Sequence, residues 1–229
     1  MEKETVIRPS LLSADFVNLQ RDIDEMVSLG ITDCHFDVMD GSFVDDISFG
    51  EPLYKKIAKA YEGKIAFDVH LMVINPMKQV RRFIALGAKE ISFHYEAMKV
   101  SDLIEVQAIR REHPDVRLGL ALSPETDVQM GINLANLFDF FLIMSVVPGK
   151  GGQSYIQGTE NKISRLDLYR KQSGLKFFIG VDGGINDITG PLCYSKGVDY
   201  LVAGSYYFSA LSREEALCKI RKSLRRNTI

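Results

Sequence analysis

Cysteine is scarce in this sequence: Cys34, Cys193 and Cys218 are the only three among 229 residues. Their number is odd and no two are spaced as C-x-x-C, which argues against a disulfide framework and against a cysteine zinc cluster. We therefore expect all three to be buried small hydrophobic side chains.

Long apolar segments and a strong net charge are also missing. The longest apolar stretch, FFLIMSVV at 140–147, is far too short to span a bilayer, and no apolar run follows the opening residues MEKET. The net charge of −2 provides no general attraction to nucleic acid or to an anionic membrane, and we interpret the basic segment after Leu211 as a solvated helix face. We expect a cytoplasmic protein that binds neither nucleic acid nor membrane.

What the sequence does contain is a repeated pattern of a helix followed by a strand. Apolar residues recur at helical spacing over 15–29 and 76–86, and the second segment begins with a cap residue followed by proline. Both segments stop at a glycine, Gly30 or Gly87, and a short apolar run follows within three residues. The same junction recurs at Gly197, at spacings that suit repeats of about 28 residues.

Eight apolar runs can be placed as strands on this repeat. They are 6–12, 33–39, 64–72, 90–96, 116–122, 140–146, 176–182 and 199–205. Eight strands alternating with helices favour a single α/β domain, 1–229, folded as a closed (β/α)8 TIM barrel. An open doubly wound sheet is the alternative, but its G-x-G-x-x-G fingerprint after the first strand is absent.

Titratable side chains are concentrated where three predicted strands end, at the mouth where such barrels carry their chemistry. His35 and Asp37 share one face of the second strand, His70 lies on the third, and Asp182 ends the seventh. Each alone would more often be a hydrogen-bonded core residue or a helix cap, but four together would need four separate partners. One divalent metal ion satisfies them all, and this ligand set suits Zn²⁺, Fe²⁺ or Mn²⁺. Asp68 lies deeper, and we expect it to support the site rather than bind the ion.

Glycine-rich segments follow the last three predicted strands, as PGKGGQ at 148–153, DGG at 182–184 and AGS at 203–205. Glycine lets backbone amides approach an anion closely, and the loops after strands seven and eight are the usual phosphate site of this barrel. Turns need glycine as well, so the shared position of the three segments is what predicts a phosphorylated ligand.

A metal ion beside two carboxylates, opposite a phosphate site, suggests proton transfer next to a carbonyl group. The metal would hold the carbonyl oxygen and stabilise an enediolate, with Asp37 and Asp182 as acid and base on opposite faces. Returning the proton on the other face inverts the carbon, which predicts an epimerase. Met39, Met72 and Met144 are either core fillers or an apolar wall that keeps water from the intermediate.

Five segments resemble the ribulose-phosphate 3-epimerase family in matching order across almost the whole chain. They are PSLLSADF (9–16), HFDVMDGSFV (35–44), DVHLM (68–72), MSVVPGKGGQ (144–153) and VDGG (181–184). The resemblance implies a barrel of the ribulose-phosphate-binding type that interconverts D-ribulose 5-phosphate and D-xylulose 5-phosphate, with one divalent metal ion per subunit. It implies Asp37 as proton acceptor and Asp182 as proton donor, both also metal ligands together with His35 and His70. Members are commonly oligomeric, so we expect a homo-oligomer.

The predicted contacts with the phosphorylated ketose extend around the mouth. They are Ser10, Met39, His70, Met72, Met144, Gly149, Gly151, Gly152, Gln153, Gly183, Gly184, Gly204 and Ser205. Departures from the family pattern occur at Asp45-Asp46, Val147 and Lys150, where the family usually has Pro-Asn, Asn and an aromatic residue. Because these loops border the pocket, D-allulose 6-phosphate, the substrate of a close relative, is an alternative. Lys150 is interpreted as a solvated loop tip rather than a phosphate contact.

Two other functions are alternatives to epimerisation. Related decarboxylases and aldol-type lyases carry D-x-K-x-x-D, but Met39 stands in the lysine place here, and Met144 occupies the strand end where a Schiff-base aldolase would need a lysine. A non-catalytic sugar-phosphate-binding barrel is the third possibility, because a fold alone does not prescribe an activity. The presence of both aspartates and both histidines argues against it.

Overall fold

The computed structural model describes residues 6–226, so the opening residues MEKET and both ends of the predicted 1–229 domain lie outside the described residues. The side chains of Arg225 and Arg226, part of the predicted basic helix face, also lie outside them. Eight strands, β1 to β8, form one sheet: Val6–Pro9, Asp33–Met39, Ala66–Met72, Glu90–His94, Arg117–Leu122, Phe140–Met144, Phe178–Asp182 and Tyr200–Ala203.

The sheet closes on itself into a barrel. All pairs are parallel, and the hydrogen-bonded order runs β1-β8-β7-β6-β5-β4-β3-β2. The remaining gap between β1 and β2 is bridged by a parallel pairing of Ser10 with His35. Helices alternate with the strands, so the predicted (β/α)8 barrel is confirmed.

Nine helices, α1 to α9, are found within residues 6–226, together with two 3₁₀ turns, Leu11–Ser13 and Tyr95–Ala97. The helices are Leu19–Ser28, Glu51–Ala60, Pro76–Ala85, Asp102–Glu112, Val128–Ile132, Thr159–Ser173, Thr189–Ser195, Ser205–Phe208 and Arg213–Arg226. The first helix begins four residues later than predicted because the Asp15 carboxylate accepts hydrogen bonds from Val17 and Asn18, which form a turn there. None of the nine is long and apolar enough to cross a membrane.

Several strands end earlier at the mouth than the apolar runs suggest. The first ends at Pro9 rather than residue 12, because Ser10 caps a 3₁₀ turn by accepting a hydrogen bond from the Leu12 N–H. The fourth ends at His94 because the next three residues form the second 3₁₀ turn. Only β2 has the predicted bounds, 33–39. These turns end the strands at the mouth of the barrel, where the polar side chains lie.

Hydrophobic side chains form two layers, one between the strands and the helices and one inside the barrel. The inner layer contains Ala121, Phe140, Leu142, Met144, Val146, Tyr200 and Val202. Gly119 and Gly180 make room for its two largest rings, because a Cβ at these positions would lie 2.2 Å from Phe140 and 2.0 Å from Tyr200. The barrel is therefore a filled core, open only at its ends.

The cysteines are distributed differently from the prediction. Cys34 and Cys193 are buried, as expected, but Cys218 is exposed, so that part of the prediction is wrong. On α9 it is Ala216, Leu217 and Ile220 that face inward, which leaves position 218 on the solvent side of the helix.

Charged side chains close the end of the barrel opposite the mouth. The floor network consists of Arg8 on β1, Asp68 on β3, Glu90 on β4 and Arg117 on β5, and the last three stand opposite one another on adjacent strands. Arg8 is buried; its Nη1 donates to Asp68 Oδ2 at 3.1 Å and contacts Glu90, which also contacts Arg117. Each buried carboxylate thus faces a guanidinium group, which is the condition for charges to be tolerated there.

Candidate active site

Strand register brings the titratable residues of the mouth together. In the β2–β3 ladder His35 stands opposite Asp68 and Asp37 opposite His70, while Asp182 at the end of β7 stands opposite Met144. The alternation of side chains along each strand then points His35, Asp37 and His70 toward the barrel interior, where all three are almost fully buried.

His35, Asp37, His70 and Asp182, the ligand cluster, meet at one point. His35 Nε2 lies 3.1 Å from Asp37 Oδ1 and 3.7 Å from Asp182 Oδ2, and His70 Nδ1 lies 3.0 and 3.9 Å from the same two atoms. One ligand atom of each residue lies within 4.8 Å of the others. Two imidazole nitrogens and two carboxylates this close can hold a metal ion.

The electrostatics of the cluster favour a cation. Burial raises the pKa of Asp182 to about 7; the nearby His35 lowers it, while Asp37 and Asp68 add to the rise. Burial disfavours a charged His35, but the carboxylates of Asp37 and Asp68 outweigh it and raise the pKa of this imidazole well above its usual value. The carboxylates thus hold a proton on His35 when no metal ion is bound, and a divalent ion would replace that proton.

Neighbouring side chains orient the ligand atoms. His35 Nδ1 lies 2.8 Å from Asp68 Oδ2, which leaves Nε2 facing the cluster. The hydroxyl of Ser10 donates to Asp37 Oδ2 at 2.6 Å. Asp68 therefore lies behind the cluster, where we expected it, and its hydrogen bond fixes which nitrogen of His35 is free to bind a metal ion.

Two residues that were not predicted from the sequence extend the cluster on the β4 side. His70 Nε2 lies 2.9 Å from His94 Nε2, and His94 Nδ1 lies 2.9 Å from Glu96 Oε2. Burial lowers the pKa of His94 to about 4, although Glu96 opposes this. The signal was present in EISFHYE, since strand alternation places residue 94 on the same face as Glu90 and Ser92.

A cleft opens above the cluster. Of the predicted substrate contacts, it is lined by Ser10, Met39, Met72, Met144, Gly149, Gly151, Gly152, Gln153, Gly183, Gly184, Gly204 and Ser205. His70 does not line the cleft and is fully buried beneath it. Met144 also belongs to the inner core layer, so it is both a core residue and part of the cleft wall.

Comparison with known proteins identifies the family. Residues 6–208 match the model of the ribulose-phosphate 3-epimerase family. The chain belongs to this family. The ribulose-phosphate 3-epimerase of Treponema pallidum is 37% identical over 223 residues, which cover 96% of this chain and 98% of the relative. The cytoplasmic isoform of ribulose-phosphate 3-epimerase from Oryza sativa subsp. japonica is 35% identical over 221 residues, which cover 95% of this chain and 93% of the relative.

The likeness to solved structures is one of fold alone. The 3-hexulose-6-phosphate synthase of Salmonella typhimurium aligns with a TM-score of 0.64 over 97% of this chain and 99% of its own, at 15% identity. At that identity the shared barrel says nothing about a shared reaction. The ribulose-phosphate 3-epimerase family is instead established by sequence over most of the chain.

The departures from the ribulose-phosphate 3-epimerase pattern lie around the rim. Asp45 and Asp46 are exposed in the loop between β2 and α2, and Val147 is exposed beside the cleft. Lys150 is exposed, as expected of a loop tip, but it also lines the cleft at the glycine-rich end. None of these residues contacts the ligand cluster, so the departures concern the rim alone.

Proposed function

We propose that this chain catalyses the metal-dependent C3 epimerisation of D-ribulose 5-phosphate to D-xylulose 5-phosphate. One observation carries the proposal: Asp37 and Asp182 reach a single buried cluster from strands on different sides of the barrel, at the base of a cleft with glycine-rich loops. Two carboxylates around one site can serve as the acid and the base that an inversion requires. Membership of the ribulose-phosphate 3-epimerase family supports the reaction class.

The ligand cluster would hold one Zn²⁺, Fe²⁺ or Mn²⁺ ion, because its donors are two imidazole nitrogens and two carboxylates. When bound, the ion supplies positive charge that stabilises the oxyanion of the enediolate. Asp68 and Ser10 keep His35 and Asp37 in the orientations that the site requires.

Asp37 would accept the proton from C3, and Asp182 would donate a proton to the opposite face. The two pKa values are pushed apart in the direction that this division of roles needs. Burial raises the pKa of Asp182 to about 7. The imidazoles of His35 and His70 outweigh burial and hold the pKa of Asp37 far below its usual range. A bound cation would lower both values, but the neighbours that separate them stay in place.

The phosphate group would bind at the glycine-rich end of the cleft. Two backbone segments pack closely there, because a Cβ at Gly184 would lie 2.5 Å from the amide nitrogen of Tyr155. The ketose carbons then extend toward the ligand cluster along Met39, Met72 and Met144, which supply apolar surface. Because Val147 and Lys150 lie at the rim, D-allulose 6-phosphate is the second candidate substrate.

The decisive experiment incubates metal-loaded protein in D₂O with D-ribulose 5-phosphate and, separately, with D-allulose 6-phosphate, and follows C3 by NMR. Deuterium at C3 with inversion is the expected result, faster with the pentulose. Carbon dioxide or a cleavage product would indicate a lyase, and binding without exchange would indicate a non-catalytic barrel. Asp37→Asn and Asp182→Asn should each abolish exchange, and metal analysis of each variant separates loss of the base from loss of the ion.

We also propose that the chain is one domain spanning 1–229 that acts in the cytoplasm as a homo-oligomer, with a phosphorylated ketose as its ligand and with neither nucleic acid nor membrane as a partner. The cytoplasmic isoform among its relatives supports the location, and the net charge of −2 supports the absence of polyanionic partners. Light scattering coupled to size-exclusion chromatography tests the oligomeric state, which a monomer mass would contradict.

A further inference from the structure

We propose that His94 and Glu96 form a positioning relay that selects the tautomer of His70 able to bind the metal ion. The inference rests on the proposed role of the ligand cluster. His70 Nδ1 faces that cluster, its Nε2 lies 2.9 Å from His94 Nε2, and His94 Nδ1 lies 2.9 Å from Glu96 Oε2. Three side chains are thus joined in a line that ends on a carboxylate.

The line admits two proton arrangements, and only one leaves His70 free to bind a metal ion. If His70 carries its proton on Nε2, it donates to His94, and Nδ1 presents a lone pair to the cluster. In the reverse arrangement His94 donates to His70, whose proton then sits on Nδ1 and points at Asp37 Oδ1, 3.0 Å away. A protonated nitrogen cannot bind a metal ion, so the reverse arrangement would remove one of the four ligands.

Glu96 decides between the two arrangements. A carboxylate only accepts hydrogen bonds, so Glu96 Oε2 favours a proton on His94 Nδ1, and the neutral ring then has a lone pair on Nε2. That lone pair requires the proton of His70 to be on Nε2. The metal-competent tautomer of His70 is therefore set from a residue two hydrogen bonds away.

The geometry of Glu96 is itself fixed. Its Oε1 accepts a hydrogen bond from the Ser123 N–H at 3.0 Å and contacts the hydroxyl of Thr126. The loop that carries both donors is held by Lys162, whose Nζ donates to the carbonyl oxygens of Ser123, Pro124 and Thr126 at 3.0, 2.6 and 2.6 Å. With Oε1 committed to that loop, Oε2 is the atom left for His94.

The ring of His94 is held between two other rings. It is fully buried, stacks on His70 with centroids 5.0 Å apart, and lies 4.8 Å from the ring of Phe43. Both nitrogens of the ring are engaged, Nδ1 by Glu96 and Nε2 by His70, which is a proposed ligand. Such outer partners orient metal-bound histidines.

Glu96→Gln tests the relay with almost no change in shape. Because Oε1 accepts from Ser123 and Thr126, the new amide must place its NH₂ group against His94 Nδ1, which reverses the donor and favours the wrong tautomer of His70. Mn²⁺ and Zn²⁺ affinities, measured against a competing chelator without any sugar, should fall roughly 10–100-fold. Glu25→Gln on α1, away from the cluster, is the matched control and should leave affinity unchanged.

Two substitutions of His94 separate the hydrogen bond from the ring. His94→Phe keeps the stacking but removes the acceptor and should weaken metal binding as Glu96→Gln does. His94→Gln can still accept from His70 Nε2 and should recover most of the affinity. ¹⁵N NMR of the histidine rings should show His70 protonated on Nε2 in the parent protein and on Nδ1 in Glu96→Gln.

Affinities of Glu96→Gln and His94→Phe equal to that of the parent would overturn the relay, and so would a parent spectrum with His70 protonated on Nδ1. Thermal unfolding of each variant identifies any that fail to fold. If a variant does not fold, the ¹⁵N spectrum of the parent still tests the relay, because it reports which nitrogen of His70 is protonated. Failure of the proposed function looks different. It would appear as absent C3 exchange in the metal-loaded parent, while the variants still differed in metal affinity or ring protonation.

Discussion

The hydroxyl oxygen of Ser10 lies 2.6 Å from Oδ2 of Asp37 and accepts a hydrogen bond from the Leu12 N–H at 3.2 Å. Since the Leu12 N–H supplies one proton, the proton of the hydroxyl itself is directed at the carboxylate. Ser10 also pairs with His35 across the gap between β1 and β2, so it joins closure of the barrel to the proposed proton acceptor.

Ser10→Ala should reduce turnover more than it weakens metal binding, because it removes one hydrogen bond from a charged carboxylate but no metal ligand. Such a bond contributes about 1.5–3 kcal/mol, which corresponds to a fall in kcat of roughly 10–100-fold. Steady-state kinetics with chelator-buffered Mn²⁺ measure both effects. Ser28→Ala, which removes an exposed hydroxyl on α1, is the control. An unchanged kcat for Ser10→Ala would contradict the orienting role.

Gly184→Ala should raise KM for the sugar phosphate and leave metal affinity unchanged. Its φ is +61°, and the added Cβ would lie 2.5 Å from the Tyr155 nitrogen, so the loop at the phosphate end must move. Gly174→Ala is a matched control, because φ there is +71° and nothing lies within 4 Å. The left-handed backbone should cost roughly 1–2 kcal/mol in both variants, Gly184→Ala should lose more because of its backbone clash, and only Gly184→Ala should change KM. Equal KM values in the two variants would place the phosphate elsewhere.

Arg8→Leu should destabilise the protein strongly, because it removes the guanidinium group that Asp68 and Glu90 share and leaves Arg117 as the guanidinium partner of Glu90. Breaking a buried ion pair on one side costs about 3–5 kcal/mol. Adding Glu90→Gln to Arg8→Leu should restore part of that loss, since one of the two buried negative charges that Arg8 neutralised is then gone. Urea unfolding of the single and double variants measures both values. A double variant less stable than Arg8→Leu would contradict the charge argument.

Asp22→Asn should weaken the attachment of α9 to α1 in a pH-dependent way. Burial would raise the pKa of Asp22, but hydrogen bonds from the Asp15 N–H, from Arg213 and from Arg21 lower it below its usual value. Because the folded pKa lies below the unfolded value of about 3.9, the ionised group stabilises the fold above roughly pH 4, and this contribution disappears as the pH falls through the folded pKa.

The stability of Asp22→Asn should therefore be lower than that of the parent by about 2 kcal/mol at pH 7, and the difference should shrink below pH 4. Urea unfolding at several pH values measures it. A difference that stays constant from pH 7 to pH 3 would show that the charge of Asp22 is not what holds α9.

Local patterns predicted the architecture because each depends on neighbours in the chain. Strand β2 has its predicted bounds since HFDV alternates cleanly, and α3 begins at its cap and proline. The ends that were predicted wrongly are those where a side chain competes with the backbone pattern, as Ser10 and Asp15 do. Hydrophobic periodicity does not report such local hydrogen bonds.

Contacts between distant parts of the chain were harder to predict. The ligand cluster could be assembled because strand ends of a barrel converge by topology. The pairing of Arg8 with Asp68 and Glu90, which lie 60 and 82 positions further along the chain, could not be predicted, because it depends on the register between strands. His94 was accessible from alternation along β4, but its contact with His70 needs the spatial adjacency of β3 and β4.

One oxygen atom contacts both the ligand cluster and the floor network. Asp68 Oδ2 lies 2.8 Å from His35 Nδ1 and 3.1 Å from Arg8 Nη1, so the residue that directs a proposed ligand is also a member of the floor network. Any redesign of metal preference at His35 would change the charge balance around Arg8, and any redesign of the floor would alter the basicity of the imidazole above it. Engineering of this protein must therefore treat the ligand cluster and the floor network as a single electrostatic unit.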